Sequence, residues 1–558
     1  MAAEIVTTIA LTLVFGGIIY NGIRITKLIQ PLLTHTKPCS IFSGLQPPSQ
    51  EQWRNFVNNL PWLMVLASVG AIGWIIRRYC TKAMRRNRRQ RPSLPTTTTR
   101  HDHVVRHPTT NRQPEASCAR RLYHCVLGIV VACIMHGNDV VLLIGVILLS
   151  HSITQCCLRT PSVHWTVMLL LLLLTGNLSP FGLWSAVTLN DGHSGLNALG
   201  LHGLLSFTGT FRLTFLRLIS YNMDTYYALS TVSIRSPENT NDAYSQRQNT
   251  SLEIKAYSLL NALNYVMYPP LYFAGPIASF NAFTSQLARP QYTVTFVSWI
   301  SHVIRLVICL LLQTWLQCYA SVSSSWYSDR PAFIAVVGGH SLNAFSAAIL
   351  VLIDMYLRYL IIWRFARLVA LLDDVDVVDN MLHCFAASPS FVTFWRSWHA
   401  SFNVWIVRYL YVPLGGSRRK MILVWIVFIF VGVWHVTGWH LVVWAIANAL
   451  GFSLEIILRP RLPTLVADIL ALFGLVFANV FILGFWQAQF LLSTAFFSSS
   501  SPSETLSTIL LAIVLFALIS RVNTIHQRRV RLNRKRPQRT HPQHVFDCQW
   551  FVWYDKLT

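Results

Sequence analysis

The sequence predicts an all-α protein that crosses the membrane many times, on three observations. First, only 12% of its 558 residues are charged and 53% are hydrophobic, whereas a soluble domain carries about twice that charge. Second, several apolar runs approach the roughly 20 residues that a helix needs to span a bilayer. Third, the charges are gathered outside those runs: Arg77 to Arg121 holds thirteen Lys/Arg and Arg521 to Thr558 holds nine. The net charge of +24 therefore reads as loops and a tail kept in the cytosol, with attraction to anionic headgroups as the second reading. Nucleic-acid binding is disfavoured, because no recognition module accompanies the charge.

Four regions follow in order: N-terminal transmembrane segments (1–76), a basic low-complexity loop (77–121), a transmembrane core (122–520) and a basic tail (521–558). The first span, Ile5 to Ile23, has no A-x-A cleavage site and reads as a retained anchor. Arg24 to Asn59, with Pro31, Pro38 and Pro47-Pro48, is a loop, and Trp62 to Ile76 is a second span. Arg77 to Arg121 is Arg-rich with a Thr96–Thr99 run, a composition that argues for disorder. If that loop is cytosolic, so is the N-terminus, and Arg24–Asn59 is luminal.

Leu122 to Ile134, Val140 to Ser150 and Trp165 to Leu174 are apolar, the last ending in six consecutive Leu. Leu199 to Ser220 is less apolar and carries Arg212 and Arg217. Ser236 to Glu253 is polar and reads as a mobile loop. Ala256 to Phe273 reads as a span whose Tyr265, Tyr268, Tyr272 and Phe273 form an interfacial aromatic belt. Val294–Leu316, Ala344–Trp363, Ile422–Trp434, Leu441–Leu458, Leu465–Phe485 and Leu506–Ile519 bring the count to ten to twelve crossings. The eleven cysteines show no CxxC pair and no metal spacing. Cys125, Cys133, Cys309 and Cys318 lie in apolar spans and read as small hydrophobes.

There is no GxSxG elbow, HExxH, P-loop or dinucleotide fingerprint, nor a His followed five positions later by Asp, so the familiar enzyme classes are disfavoured. The informative stretch is Phe394 to Gly416. Read as one helix, it places Trp395, Trp398, Phe402, Trp405 and Tyr409 on an aromatic stripe. Arg396, His399 and Asn403 form a polar ridge beside it. Pro413-Leu414-Gly415-Gly416 ends the helix. One apolar span later stands His435, in or at the edge of the membrane. Ionisable residues there are costly and mark function; the plainer alternative is a snorkelling ring bonded to a carbonyl. A histidine facing a membrane cavity serves either as a general base for an alcohol or as a proton relay in a transporter. Asp354 and Arg358 have the spacing of an intramembrane pair. Asp373, Asp374 and Asp376 read as solvated loop carboxylates rather than metal ligands. Asn249-Thr250-Ser251 is a glycosylation sequon, informative only in the lumen.

Arg396-Ser397-Trp398-His399, Trp405, Arg408-Tyr409-Leu410-Tyr411-Val412-Pro413-Leu414-Gly415-Gly416 and Trp434-His435 together resemble the signature of the membrane-bound O-acyltransferase (MBOAT) superfamily. Within it the chain looks most like the glycerol uptake protein (GUP) subfamily, kin of Hedgehog acyltransferase. Leu216 to Asn222, Tyr268 to Ile277 with Phe280-Asn281, Ile362 to Leu368 and Asp379-Asn380-Met381 extend the resemblance over roughly Phe211 to Glu455. The resemblance implies a helical bundle with re-entrant segments around a central tunnel. It also implies transfer of a fatty acyl group from acyl-CoA, as co-substrate with no further cofactor, to a membrane acceptor in the endoplasmic reticulum. For GUP-like proteins that acceptor is the sn-2 hydroxyl of a lyso-form of a glycosylphosphatidylinositol (GPI) anchor lipid. A protein N-terminus, as in the Hedgehog branch, and glycerol or proton transport are the alternatives.

His435 matches the family's catalytic histidine, and His399 its second polar position. Arg396, Asn403, Trp398, Trp405, Arg408, Tyr411 and Trp434 become candidate substrate contacts. The Trp/Tyr stripe would face the acyl chain, or simply pack. Arg408 and Ser417-Arg418-Arg419-Lys420 would meet CoA phosphates, or simply follow positive-inside topology. In relatives the residue after Trp-His is often acidic; here it is Val436, with a second histidine at His440.

Overall fold

The computed structural model describes residues 2–29, isolated positions between 56 and 72 and between 322 and 326, and residues 114–174, 207–230, 244–289, 296–320, 329–382, 388–435, 439–497 and 501–534. Among these the chain is helical, with one isolated bridge between Met381 and Trp398. The first half contributes α1 (Ala2–Ile29), α2 (Pro114–His136), α3 (Val140–Cys156), α4 (Pro161–Leu174) and α5 (Phe207–Ser230). Four short helices follow: α6 (Tyr244–Asn249), α7 (Leu259–Val266), α8 (Pro269–Tyr272) and α9 (Phe280–Ala288). Then come α10 (Phe296–Tyr319), α11 (Arg330–Val337) and the long α12 (Ser341–Leu372). α13 (Phe391–Ser397) and α14 (Ala400–Ile406) precede a π-turn over Val407–Tyr411. α15 (Lys420–His435), α16 (Trp439–Leu458), α17 (Thr464–Val480), α18 (Phe485–Phe497) and α19 (Pro502–Arg534) complete the chain.

By length and composition five described helices are able to cross a membrane: α1, α10, α12, α16 and α19; α3, α4 and α17 are apolar but shorter. The all-α, multi-pass architecture expected from composition is thus present. α12 is its axis. Its most apolar window is 78% buried, against 17% for α10, and it packs against α1, α10, α17, α18 and α19. α10 turns Val297, Ile304, Leu311 and Leu312 outward, as a helix facing lipid does. A charged pair survives inside α12 because Asp354 and Arg358 neutralise each other one turn apart, at 2.6 Å, as their spacing predicts. Gln313 of α10 donates to the same carboxylate at 2.6 Å.

Several expectations need correction. Ala256–Phe273 is not one span, because Pro269 and Pro270 cannot continue α7 and the chain restarts as α8. Its tyrosines do not form an interfacial belt. The Tyr265 hydroxyl donates to the Ala278 carbonyl at 2.6 Å, Tyr268 to Asp373 at 2.9 Å, and Tyr272 bonds His136 at 2.7 Å. With partners inside, these hydroxyls need no water. Ser236–Glu253 is not a solvated loop throughout: α6 buries Tyr244, Arg247 and Gln248. Its polarity serves internal bonds, such as Arg247 to the Arg289 carbonyl at 3.1 Å.

Arg24 to Ile29 is not loop, since α1 continues to Ile29 and Arg24 bonds Asn343 at 3.0 Å; residues 30–55 lie outside the described residues. The 77–121 segment is helical from Pro114; its remainder, most of Trp62–Ile76 and Val436 lie outside the described residues. The acidic run is engaged rather than solvated. Asp373 lies 3.0 Å from His124 and 3.5 Å from Arg120, and Asp376 lies 3.1 Å from Arg367. Cys318 is disulfide-bonded rather than a plain hydrophobe.

Candidate active site

α13 is docked before it presents anything to the site. The Ser390 hydroxyl caps it by accepting from Thr393 N at 3.1 Å, and Glu455 of α16 accepts from Phe391 N at 2.6 Å. Gly451 makes this docking feasible, because a Cβ there would lie 2.3 Å from the Phe391 ring. Trp395 then bonds Asn448 at 3.2 Å and packs edge-on against Phe428 and Trp444.

The expected continuous helix is broken here. Trp398 is extended and bridges to Met381, and His399 has φ 48°, a left-handed conformation unusual for a residue with a Cβ. Asn380 holds the break: its carbonyl accepts Ala400 N at 3.2 Å and its side chain accepts Ser401 N at 3.0 Å. Such strain persists only where surroundings over-determine it, and it clusters at functional sites. The His399 ring lies 4.5 Å from Trp363 and 5.2 Å from Phe402. Its Nδ1 is buried without a hydrogen-bond partner among the described residues.

The single aromatic stripe therefore does not exist. Trp395 turns to α16 and Trp398 to Tyr359 and Trp363 of α12. Trp405 turns to α5, donating to the Leu216 carbonyl at 2.9 Å and stacking on Phe430. Trp405 is 2% exposed and packs behind the cavity wall instead of lining it. Past α14, the π-turn sets Arg408 and Tyr409 against Asp224 of α5. Arg408 contacts one carboxylate oxygen through Nε at 3.1 Å and Nη2 at 2.8 Å; the Tyr409 hydroxyl donates to it at 3.0 Å. Arg408 also donates to Asn249 at 2.7 Å. Sequence reading missed Asp224. Its only signal is a carboxylate in an otherwise weakly charged helix. Beyond the π-turn, Gly415 (φ 117°) and Gly416 (φ 58°) reverse the chain where a side chain would be strained.

His435 ends α15. Gly432, one turn earlier, brings α16 close, since a Cβ there would lie 3.0 Å from the Ala445 methyl. Trp434 donates to the Arg212 carbonyl at 2.9 Å, tying the end of α15 to α5. The His435 ring lies 4.7 Å from Trp434 and edge-on to Trp444 at 5.9 Å. Phe402 lies 5.2 Å from His399 and 4.7 Å from Trp434, the residue before His435.

Both histidines line one cavity of about 2230 Å³, together with Arg396, Trp398, Asn403, Arg408, Tyr411 and Trp434. One part is apolar, built by Phe15 of α1, Leu472 and Leu475 of α17, and Leu515, Phe516 and Ile519 of α19. Another is polar and basic, built by Asn249, Arg408, Gly415, Gly416, Arg418 and Lys420. No group of three or more His, Cys, Asp or Glu among the described residues is placed to hold a metal ion. Two imidazoles on a largely apolar cavity are equipped to accept a proton from one group and donate a hydrogen bond to another.

The sequence profile of the membrane-bound O-acyltransferase family matches residues 196–498. The chain is 31% identical over 341 residues to the membrane-bound O-acyltransferase gup1 of Schizosaccharomyces pombe, covering 58% of this chain and 56% of that protein. It is 34% identical over 248 residues to GUP1 of Saccharomyces cerevisiae, covering 42% of each. The mouse protein-cysteine N-palmitoyltransferase HHAT is 27% identical over 217 residues, covering 36% of this chain and 41% of that protein. The chain thus spans about half the length of the curated relatives it matches.

Proposed function

The chain belongs to the membrane-bound O-acyltransferase family, and on that premise we propose that it transfers a fatty acyl group from acyl-CoA to a hydroxyl of a membrane lipid. The acceptor is the sn-2 hydroxyl of a lyso-GPI anchor lipid, and the site of action is the endoplasmic reticulum membrane. The observation that carries this reading is the meeting of His399 and His435 on one cavity with an apolar limb and a basic limb. The apolar limb suits the acyl chain. The basic limb suits the phosphates of CoA, through Arg418 and Lys420 more than Arg408, whose guanidinium already faces Asp224.

The chemistry needs no covalent enzyme intermediate, because the thioester is already activated. His435 takes the proton from the acceptor hydroxyl as its oxygen attacks the thioester carbonyl. His399, or Asn403 one turn further along α14, donates a hydrogen bond to the oxygen that becomes negative. Collapse of the tetrahedral species breaks the C–S bond, and the departing thiolate takes the proton from His435. Positioning in a water-poor cavity supplies the rest.

The test is transfer of labelled acyl groups from acyl-CoA to lyso-GPI by the purified protein. His435→Ala should lower the rate by about 10²–10⁴-fold, the usual contribution of a general base. Undiminished transfer by that variant would remove His435 from the mechanism. Glycerol transport without any acyl transfer would replace the enzyme reading with a transporter.

A further inference from the structure

The apolar limb of the cavity has a direction, and a chain of contacts gives it. At one end the His435 ring lies 5.9 Å from Trp444, whose indole donates to the Asn479 side chain of α17 at 3.1 Å. Asn479 lines the cavity, and so do Val476, Leu475 and Leu472. Leu472 stands seven residues from Asn479, about 10 Å along the helix at 1.5 Å per residue. There the lining of α17 stops: no earlier described residue of that helix borders the cavity. α19 closes in at the same place. Phe516 lines the cavity, and its ring meets Phe473, the residue after Leu472, edge-on at 4.8 Å. One turn further along α19, Ser520 donates to Asp468 at 2.5 Å, and Asp468 holds Arg459 at 2.9 Å. Neither Ser520 nor Asp468 borders the cavity. The limb thus ends on apolar side chains, directly in front of a buried polar cluster.

Resting on the acyl-transfer reading, we infer that Phe516, with Leu472 beside it, terminates the acyl subsite and sets the longest chain that is transferred efficiently. Phe516 is 1% exposed. It presents only an edge to the limb, while Phe473 holds its ring from behind, and a ring packed in this way does not yield to a longer chain. A chain that passed it would meet Asp468 and Arg459, where methylenes would separate charged groups from their partners. The length follows from the helix. Asn479 to Asp468 is eleven residues, about 16 Å, and one leaflet of a hydrocarbon core roughly 30 Å thick has about that depth. The limb therefore holds a chain of the length that ordinary membrane lipids carry, with its terminal methyl at Phe516, and it rejects a very long one.

The experiment uses the full chain in detergent, with saturated acyl-CoA donors from lauroyl to lignoceroyl competed in pairs. Wild type should show one optimum and a steep fall above it. Phe516→Ala should move that optimum to longer chains. For a donor two methylenes longer, kcat/KM relative to the wild-type optimum should rise about fifteen-fold, at about four-fold for each methylene newly buried. Leu472→Phe fills the end of the limb and should move the optimum to shorter chains. It opens no void, so it decides alone if Phe516→Ala does not fold. A length profile that folded variants leave unmoved would overturn the inference. So would a loss that is uniform across all chain lengths, which marks these side chains as packing only.

Thermal stabilisation by non-hydrolysable thioether analogues of the same donors separates this inference from the reading beneath it, because it needs no turnover. A stabilisation optimum that moves to longer chains in Phe516→Ala, in a protein whose wild type transfers no acyl group, keeps the limb and sinks the acyltransferase reading. Transfer by wild type with an optimum that neither variant moves keeps the reading and sinks the length limit.

Discussion

Two buried ion pairs stand on the cavity's margins and do different work. Asp354 and Arg358 share α12, one turn apart, and Gln313 supports the carboxylate from α10. Asp224 and Arg408 are 184 residues apart and join α5 to the π-turn, with Tyr409 and the Phe280–Ala288 helix attached through Asn281 N at 3.0 Å. The first pair makes a charged helix tolerable in an apolar setting. The second fastens one wall of the cavity to another. A pair closed within one helix protects its own element; a pair closed across the fold sets the position of a site.

The contrast is sharpest when one partner is removed. Asp224→Ala strands Arg408 and takes an acceptor from Tyr409 and Asn281 N. A loss of about 3–5 kcal/mol is expected for an uncompensated buried charge, read as a lowered Tm in detergent, with acyl transfer abolished. Asp354→Ala takes the counter-ion from Arg358 in its own helix and an acceptor from Gln313, and α12 stays packed on several neighbours. About 2–3 kcal/mol is expected there, from the same mechanism with fewer dependants. Removing both partners separates the roles further. Asp354→Leu/Arg358→Leu should return to within about 1 kcal/mol of wild-type stability, since apolar replacement of a buried pair is often neutral. Asp224→Leu/Arg408→Leu should regain stability without regaining transfer; recovered transfer would show that the wall needs no polar tie. The smallest effect is at the strained histidine between these regions. His399→Gly should raise stability by about 1 kcal/mol by relieving the left-handed backbone, while lowering transfer. A fall in both would mean that packing of the ring on Trp363 outweighs the strain.

What the sequence showed and what it hid follow the same division. Asp354–Arg358 was legible because its geometry is a property of one helix. The helical class, the long α12 and the family motif around Arg396 to Gly416 were legible for the same local reason. Asp224 was not, because nothing near it in sequence announces Arg408. The aromatic stripe was inferred from helical periodicity, which fails once His399 leaves helical φ, and only Asn380, almost twenty residues earlier, explains why it does. Tyr265, Tyr268 and Tyr272 looked interfacial because an unpaired hydroxyl seeks water; their partners His136, Ala278 and Asp373 are supplied by other segments. Trp405 shares its motif with true cavity residues and yet faces Leu216, since motif spacing carries no information on which side of a broken helix lines a void.

The π-turn at Val407–Tyr411 makes chain length itself a constrained quantity. A π-turn accommodates one residue more than an α-helix of the same rise. Deleting one residue from the regular turns of α14 would rotate everything beyond it by about 100°. Tyr411, Gly415 and Arg418 would then leave the cavity wall while every side chain upstream stayed in place. Deleting one within the π-turn would return it to regular winding and keep that register, because the widened turn is where the extra residue is absorbed. A single-codon deletion should therefore be more damaging in α14 than in the π-turn that follows it.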